Sequence, residues 1–207
     1  MKRAYLILAA SALGFVPLAQ AATLLDENFD ELTPVLSATS VGAFSAIDGT
    51  NVDIVGGSLF GGLCAAPESG NCIDLDGSNG NPQGILRTTT AITLEPGVNY
   101  FLSFDLIGSQ RGVTDSTTVT FGSYSKTFVL PSADVTDGIV SNQLVTVSSP
   151  TAAFLTFTSN TPGDIGSLLD DVVITSSAPS AVPEPATLAL MGLGFAGLSL
   201  SRRKRKS

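Results

Sequence analysis

Glu95-Pro96-Gly97-Val98-Asn99-Tyr100-Phe101-Leu102-Ser103-Phe104-Asp105-Leu106 reads as a turn followed by a strand. Pro96 presets one backbone angle, and Gly97 tolerates the left-handed conformation that a tight turn requires. Beyond the turn, Tyr100, Leu102, Phe104 and Leu106 recur with period two, so a strand puts all four on one face. The alternation returns at Val119 and Phe121, and again at Phe128 and Leu130. Further strand-like runs cover 83–94, 139–147, 152–159 and 168–175, and Asp137-Gly138 and Pro162-Gly163 supply more turns. No helical period is sustained between Ala22 and Ala181. Short strands punctuated by turn residues predict an all-β fold, an antiparallel sandwich of jelly-roll type over residues 22–176.

Outward from this domain the composition changes at both ends. Lys2 and Arg3 precede an uncharged, mostly apolar run from Ala4 to Val16, and Ala19-Gln20-Ala21 offers small residues for cleavage before Ala22. This is the pattern of a signal peptide, residues 1–21, cut between Ala21 and Ala22. The apolar run is too short for an N-terminal span. After a linker at 177–181, the tail 182–207 opens with Val182-Pro183-Glu184-Pro185. An uncharged stretch, 186–201, follows, and then Arg202-Arg203-Lys204-Arg205-Lys206. As a helix the uncharged stretch covers about 24 Å, a little less than a hydrocarbon core of about 30 Å. Snorkelling side chains and local thinning make up such a difference. The basic cluster stays on the cytoplasmic side. The domain ahead of it then lies beyond the inner membrane.

A Val-Pro-Glu-Pro motif, a short apolar helix and a terminal basic cluster, in that order, resemble the PEP-CTERM sorting signal. The resemblance implies an exosortase-type membrane enzyme as partner and cleavage near the Pro-Glu-Pro motif. It implies transient membrane anchoring, then a cell-surface or extracellular location, in bacteria that make extracellular polysaccharide. The physics agrees, because prolines flanking Glu184 hold the backbone extended and open to a protease. A permanent tail anchor is the alternative reading. Gly192, Gly194 and Gly197 spell G-x-G-x-x-G, but that pattern cradles a dinucleotide only between a strand and a helix of a βαβ unit. In an apolar tail it reads as a surface for close helix packing.

Charge is divided unevenly. Of ten Lys and Arg residues only Arg87, Arg111 and Lys126 lie between the two ends, whereas of eighteen acids only Glu184 lies in the tail. The domain is therefore far more acidic than the whole-chain net charge of −8 implies. Such a domain repels nucleic acid. There is no histidine, which removes the commonest general base and transition-metal ligand. Cys64 and Cys72 lie close together in an exported chain and are read as one disulfide.

The order of four segments, Leu24–Asp30, Cys72–Gly77, Glu95–Asp105 and Leu168–Ile174, resembles the galactose-binding-like jelly rolls of carbohydrate-binding modules. The resemblance implies a structural Ca²⁺ where the first and last strands meet. Carried over by position, its ligands are Asp30, Asp48 and Asp170, with carbonyls completing the shell. The same acids can instead cap turns, as Asp48-Gly49 does, or face solvent. The sequence lacks tryptophan, the aromatic that sugar-binding faces commonly use, and its phenylalanines fall mainly in strand patterns. Adjacent Asp170 and Asp171 point to opposite faces in a regular strand, while Asp74 and Asp76 can share one. No pair of carboxyls is singled out for glycoside hydrolysis. Arg111 reads as the ion-pair partner of a neighbouring aspartate. The expected protein is a non-enzymatic surface or matrix protein associated with extracellular polysaccharide; a calcium-containing carbohydrate-binding module and a calcium-dependent adhesion protein are the alternatives.

Overall fold

The computed structural model describes residues 21–64, 70–79 and 83–177. The expected signal peptide up to residue 20, the linker from 178, the motif Val182–Pro185, the uncharged stretch 186–201 with its glycines, and the cluster 202–206 lie outside these residues.

The described chain is all β. In order the strands are β1 (Ala21–Glu27), β2 (Val35–Ala38), β3 (Ser40–Val41), β4 (Phe44–Ala46), β5 (Val52–Val55), β6 (Cys72–Asp74), β7 (Ile85–Thr88) and β8 (Ile92–Leu94). There follow β9 (Asn99–Ile107), β10 (Asp115–Phe121), β11 (Tyr124–Leu130), β12 (Val140–Val145), β13 (Thr151–Ala153), β14 (Thr156–Ser159) and β15 (Leu168–Ser177). The first sheet runs β12-β9-β15-β6-β5-β2, with β1 also paired to β15. The second runs β11-β10-β14-β7-β4-β3, and β13-β8 form a small ribbon. All the pairings are antiparallel, and the two large sheets form a jelly-roll-type sandwich.

The stretch that decides the fold is the backbone of the first sheet. β9 pairs with β15 from Leu168↔Ile107 to Ser177↔Asn99. Tyr100, Leu102, Phe104 and Leu106 are all buried in the core, as are Val119, Phe121, Phe128 and Leu130 from the facing sheet. Phenylalanines link the layers. Phe104 stands edge-on to Phe157 at 5.3 Å and to Phe128 at 5.8 Å, and Phe157 continues through Phe44 to Phe29. Edge-to-face contact between rings at such distances adds to the burial of their area.

Local turn chemistry matches the sequence. Gly97 has φ 78°, and the Val98 N–H closes the turn on the Glu95 carbonyl. Gly42, φ 53°, joins β3 to β4 beside Glu27, whose Oε2 accepts the Ala43 N–H at 2.9 Å. A Cβ on Gly42 would collide with that carboxylate.

Three expectations are corrected. The run 83–94 is two strands rather than one, because β7 belongs to the second sheet and β8 to the ribbon. The run 152–159 divides in the same way into β13 and β14. The alternation of Asp170 and Asp171 is broken: Asp171 has φ 49° and the register with β9 shifts between Asp170 and Val173, a bulge that suspends the two-face rule.

Truncating the ring at the centre of the phenylalanine chain should be costly. Phe104→Ala is expected to lower unfolding free energy by about 3–5 kcal/mol in urea titration. Val129→Ala, at a position 64% exposed, should change it by less than about 0.5 kcal/mol. Equal effects would show that Phe104 is not the ring that joins the layers.

Candidate functional site

The ionisable groups gather in two places on the sandwich. The first is one end of the space between the sheets. Asp74 ends β6 and is fully buried. It forms an ion pair with Arg111, and its Oδ1 accepts the backbone N–H groups of Gly166 at 2.8 Å and Asp76 at 3.2 Å. Asp76 accepts the Gly84 N–H at 3.1 Å and reaches across to the Ser159 hydroxyl of the second sheet at 3.0 Å. Asp115 opens β10 in the inward phase shared by Thr117, Val119 and Phe121, and is 1% exposed. Neither of its carboxyl oxygens makes a well-formed hydrogen bond among the described residues, although the Ser109 hydroxyl lies close enough to favour its charged form.

Burial governs the acidity of this group. It pushes Asp74 up to about 7, against the opposing pull of Arg111 and two N–H donors. It pushes Asp115 up to about 6, and the neighbouring Asp76 charge adds to the rise. Asp76 itself is raised by burial, against the Gly84 N–H and the Ser159 hydroxyl. Raised in this way, these carboxyls take up protons at a higher pH than ordinary aspartates do. Asp53, in register with Asp74, is satisfied differently: its Oδ1 accepts the Ser37 and Ser78 N–H groups at 2.7 and 3.0 Å, and its Oδ2 accepts the Ser78 hydroxyl.

The second place lies on the outward side of the first sheet. Asp170 faces Asp105 across the β15–β9 ladder. Burial pushes Asp170 up to about 7, and the charges of Asp171, Asp30 and Asp105 push the same way. Of the residues carried over for calcium, Asp30 and Asp170 thus come within electrostatic reach of each other. Asp30 Oδ1 accepts the Asn71 N–H at 3.0 Å. Asp48 is used elsewhere: it has φ 57° beside Gly49 in a turn closed by the Thr50 N–H on the Ile47 carbonyl. Among the described residues no three carboxylates or thiolates converge on a cation position.

Cys64 and Cys72 are joined in a disulfide with Cα atoms 5.6 Å apart. With Val55, Ile107 and Leu168 they make a small apolar cluster on the outward side of the first sheet. Arg111 pairs with an aspartate as its sequence context implied. A shallow groove of about 340 Å³ beside β1, lined by Leu24, Leu25, Ala43, Thr88 and Ile92 among others, contains no ionisable side chain.

The remaining motif of the sequence is settled by comparison. Residues 181–206 are a PEP-CTERM protein-sorting motif. The domain ahead of the motif is similar in structure to the K3 cleaved adhesin domain of Lys-gingipain from Porphyromonas gingivalis, with 19% identity and TM-score 0.44 over 75% of this chain and 99% of that one. A xylan-binding domain from CBM 22 matches with 12% identity and TM-score 0.38, over 77% and 97% of the two chains. The second N-terminal cellulose-binding domain of Cellulomonas fimi β-1,4-glucanase C matches with 23% identity and TM-score 0.32, over 76% and 99%. No curated protein is similar in sequence to the chain.

Sequence reasoning missed Asp115 and Asp53. The signal for Asp115 was present, since it keeps the inward phase of Thr117, Val119 and Phe121.

The buried acids set a pH dependence. Folded Asp74 and Asp115 hold protons that the unfolded chain releases above about 4. Their contribution to stability is therefore complete below that pH, declines as pH rises, and is lost above about 7. The melting temperature should fall from pH 4.5 to pH 8, and Asp115→Asn should flatten that fall. A variant profile parallel to that of the wild type would show that Asp115 does not carry it.

Proposed function

We propose that this is an exported, non-enzymatic cell-surface or matrix protein, addressed by its tail and held in extracellular polysaccharide. The observation that carries the reading is the sorting motif at 181–206. The signal-peptide pattern at 1–21, the paired cysteines and the absence of histidine support it. On this reading the protein crosses the inner membrane, is anchored there by the tail, is cut by an exosortase-type enzyme and is released to the surface. The sandwich is the cargo.

Mass measurement of the protein recovered outside producing cells tests the address. The expected chain begins at Ala22 and ends near Val182–Pro185. Pro183→Ala with Pro185→Ala should leave the precursor in the inner-membrane fraction. An exported mass that still includes Arg202–Lys206 would replace the removable tail with a permanent anchor.

A second reading, a carbohydrate-binding module or adhesion protein that takes up calcium, is favoured by one observation. The charges of Asp171, Asp30 and Asp105 all act against that of Asp170, which faces Asp105 across the β15–β9 ladder. A divalent cation would relieve that repulsion. Its test is thermal melting at pH 8 with Ca²⁺ and then with EDTA. A shift that Asp170→Asn abolishes supports the ion, and superimposable curves remove it.

A further inference from the structure

The two outward faces of the sandwich carry opposite chemistry. On the first sheet, the half-buried Asp105 and Asp170 occupy facing outward strand positions, next to core residues Phe104 and Leu169. On the second sheet, among the described residues, no outward strand position holds a carboxylate. The acid within its strands, Asp115, points inward. Its outward positions are instead rows of hydroxyls. Thr127, Thr118 and Thr158 align across β11, β10 and β14, and Ser125, Thr120 and Thr156 form the next row. Arg87 and Ser45 extend that second row.

Strand geometry spaces these groups by about 4.8 Å between strands and about 6.8 Å along them. Thr118 and Thr127 share a hydrogen bond of 2.8 Å, and Asn160 donates to Thr118 at 3.0 Å, which fixes the hydroxyls in place. Arg87 stands apart from the other domain cations. Arg111 is paired with Asp74, and Lys126 lies over the Phe128 ring on the edge strand. The Arg87 guanidinium stacks 4.5 Å over the Phe154 ring, which is 38% exposed, and its Nε is buried with no hydrogen-bond partner among the described residues. A stacked guanidinium is held flat, and its fork matches a carboxylate.

We propose that the outward face of the second sheet docks an extracellular polysaccharide that carries uronate groups, with Arg87 taking a carboxylate and the threonine rows taking sugar hydroxyls. Charge complementarity selects this occupant. The rest of the domain repels a polyanion, whereas this face combines a guanidinium with strand positions free of acids. The inference rests on the reading of the domain as one that engages polysaccharide.

Affinity electrophoresis of the exported protein, with polygalacturonate and neutral dextran as probes, tests the proposal. Polygalacturonate should retard the protein more strongly than dextran, and added salt should reduce the difference. Arg87→Ala should weaken binding about tenfold, the scale of one charge-assisted pair. Arg87→Lys should restore part of it, and Thr118→Val with Thr158→Val should weaken it independently. Asp105→Asn, on the opposite face, should not weaken it. Melting curves of each variant separate misfolding from lost contact. Equal retardation by the two probes, or indifference to all the second-sheet variants, overturns the proposal. Loss of polygalacturonate binding alone, with the organism's own polysaccharide still bound, overturns it and spares the broader reading. Failure to bind any of the three glycans overturns both.

Discussion

Phe104 meeting Phe157 and Phe128 across the interlayer space is the contact on which the rest of the molecule depends. It ties the long central strand of one sheet to two strands of the other. A sandwich has no core until its layers meet, and aromatic rings span the gap with little conformational entropy to lose. Once that centre is set, the ends of the space need not be apolar. One end is closed instead by aspartates, an arginine and hydroxyls. It keeps its geometry because the phenylalanines, rather than the charges, hold the layers together.

This division of labour explains how so acidic a domain can bury carboxyls at all. Asp74 and Asp76 are stabilised by N–H and hydroxyl donors from several loops. Asp115 has no backbone donor of this kind among the described residues, and the Ser109 hydroxyl and the Arg111 charge oppose its burial only in part. The unevenness continues on the outside. One layer carries Asp105 and Asp170 on its outer side, and the other shows hydroxyls and one stacked guanidinium. The two sides of one thin body thus meet different electrostatic surroundings.

The strands that read clearly in the sequence are those with long, regular alternation. Tyr100 to Leu106 and Val119 to Phe121 needed only period two. Where the chain leaves one layer for another, the sequence is silent. Thr89-Thr90 and Phe154-Leu155 interrupt their runs without a proline or glycine, and the departure is decided by partners far along the chain. The strands between Val35 and Val55 are two to four residues long, too short to show a period. The bulge at Asp171 has no local signature either, because its cost is met by the ladders on both sides. The disulfide and the Arg111 ion pair were legible because spacing and scarcity narrow the choices: two cysteines and three domain cations leave few combinations. Of the three acids carried over by position, Asp30 and Asp170 come within electrostatic reach of each other, whereas Asp48 stays in its own turn.

Ala21 and Ser177 are register partners at one end of the β1–β15 ladder. Among the described residues the chain therefore ends on β15. That strand is gripped from both sides, by β9 along nearly its full length and by β1 over its last half. A load directed along the strand would strain the perpendicular hydrogen bonds of both ladders together. β15 thus cannot leave the sandwich without opening two ladders.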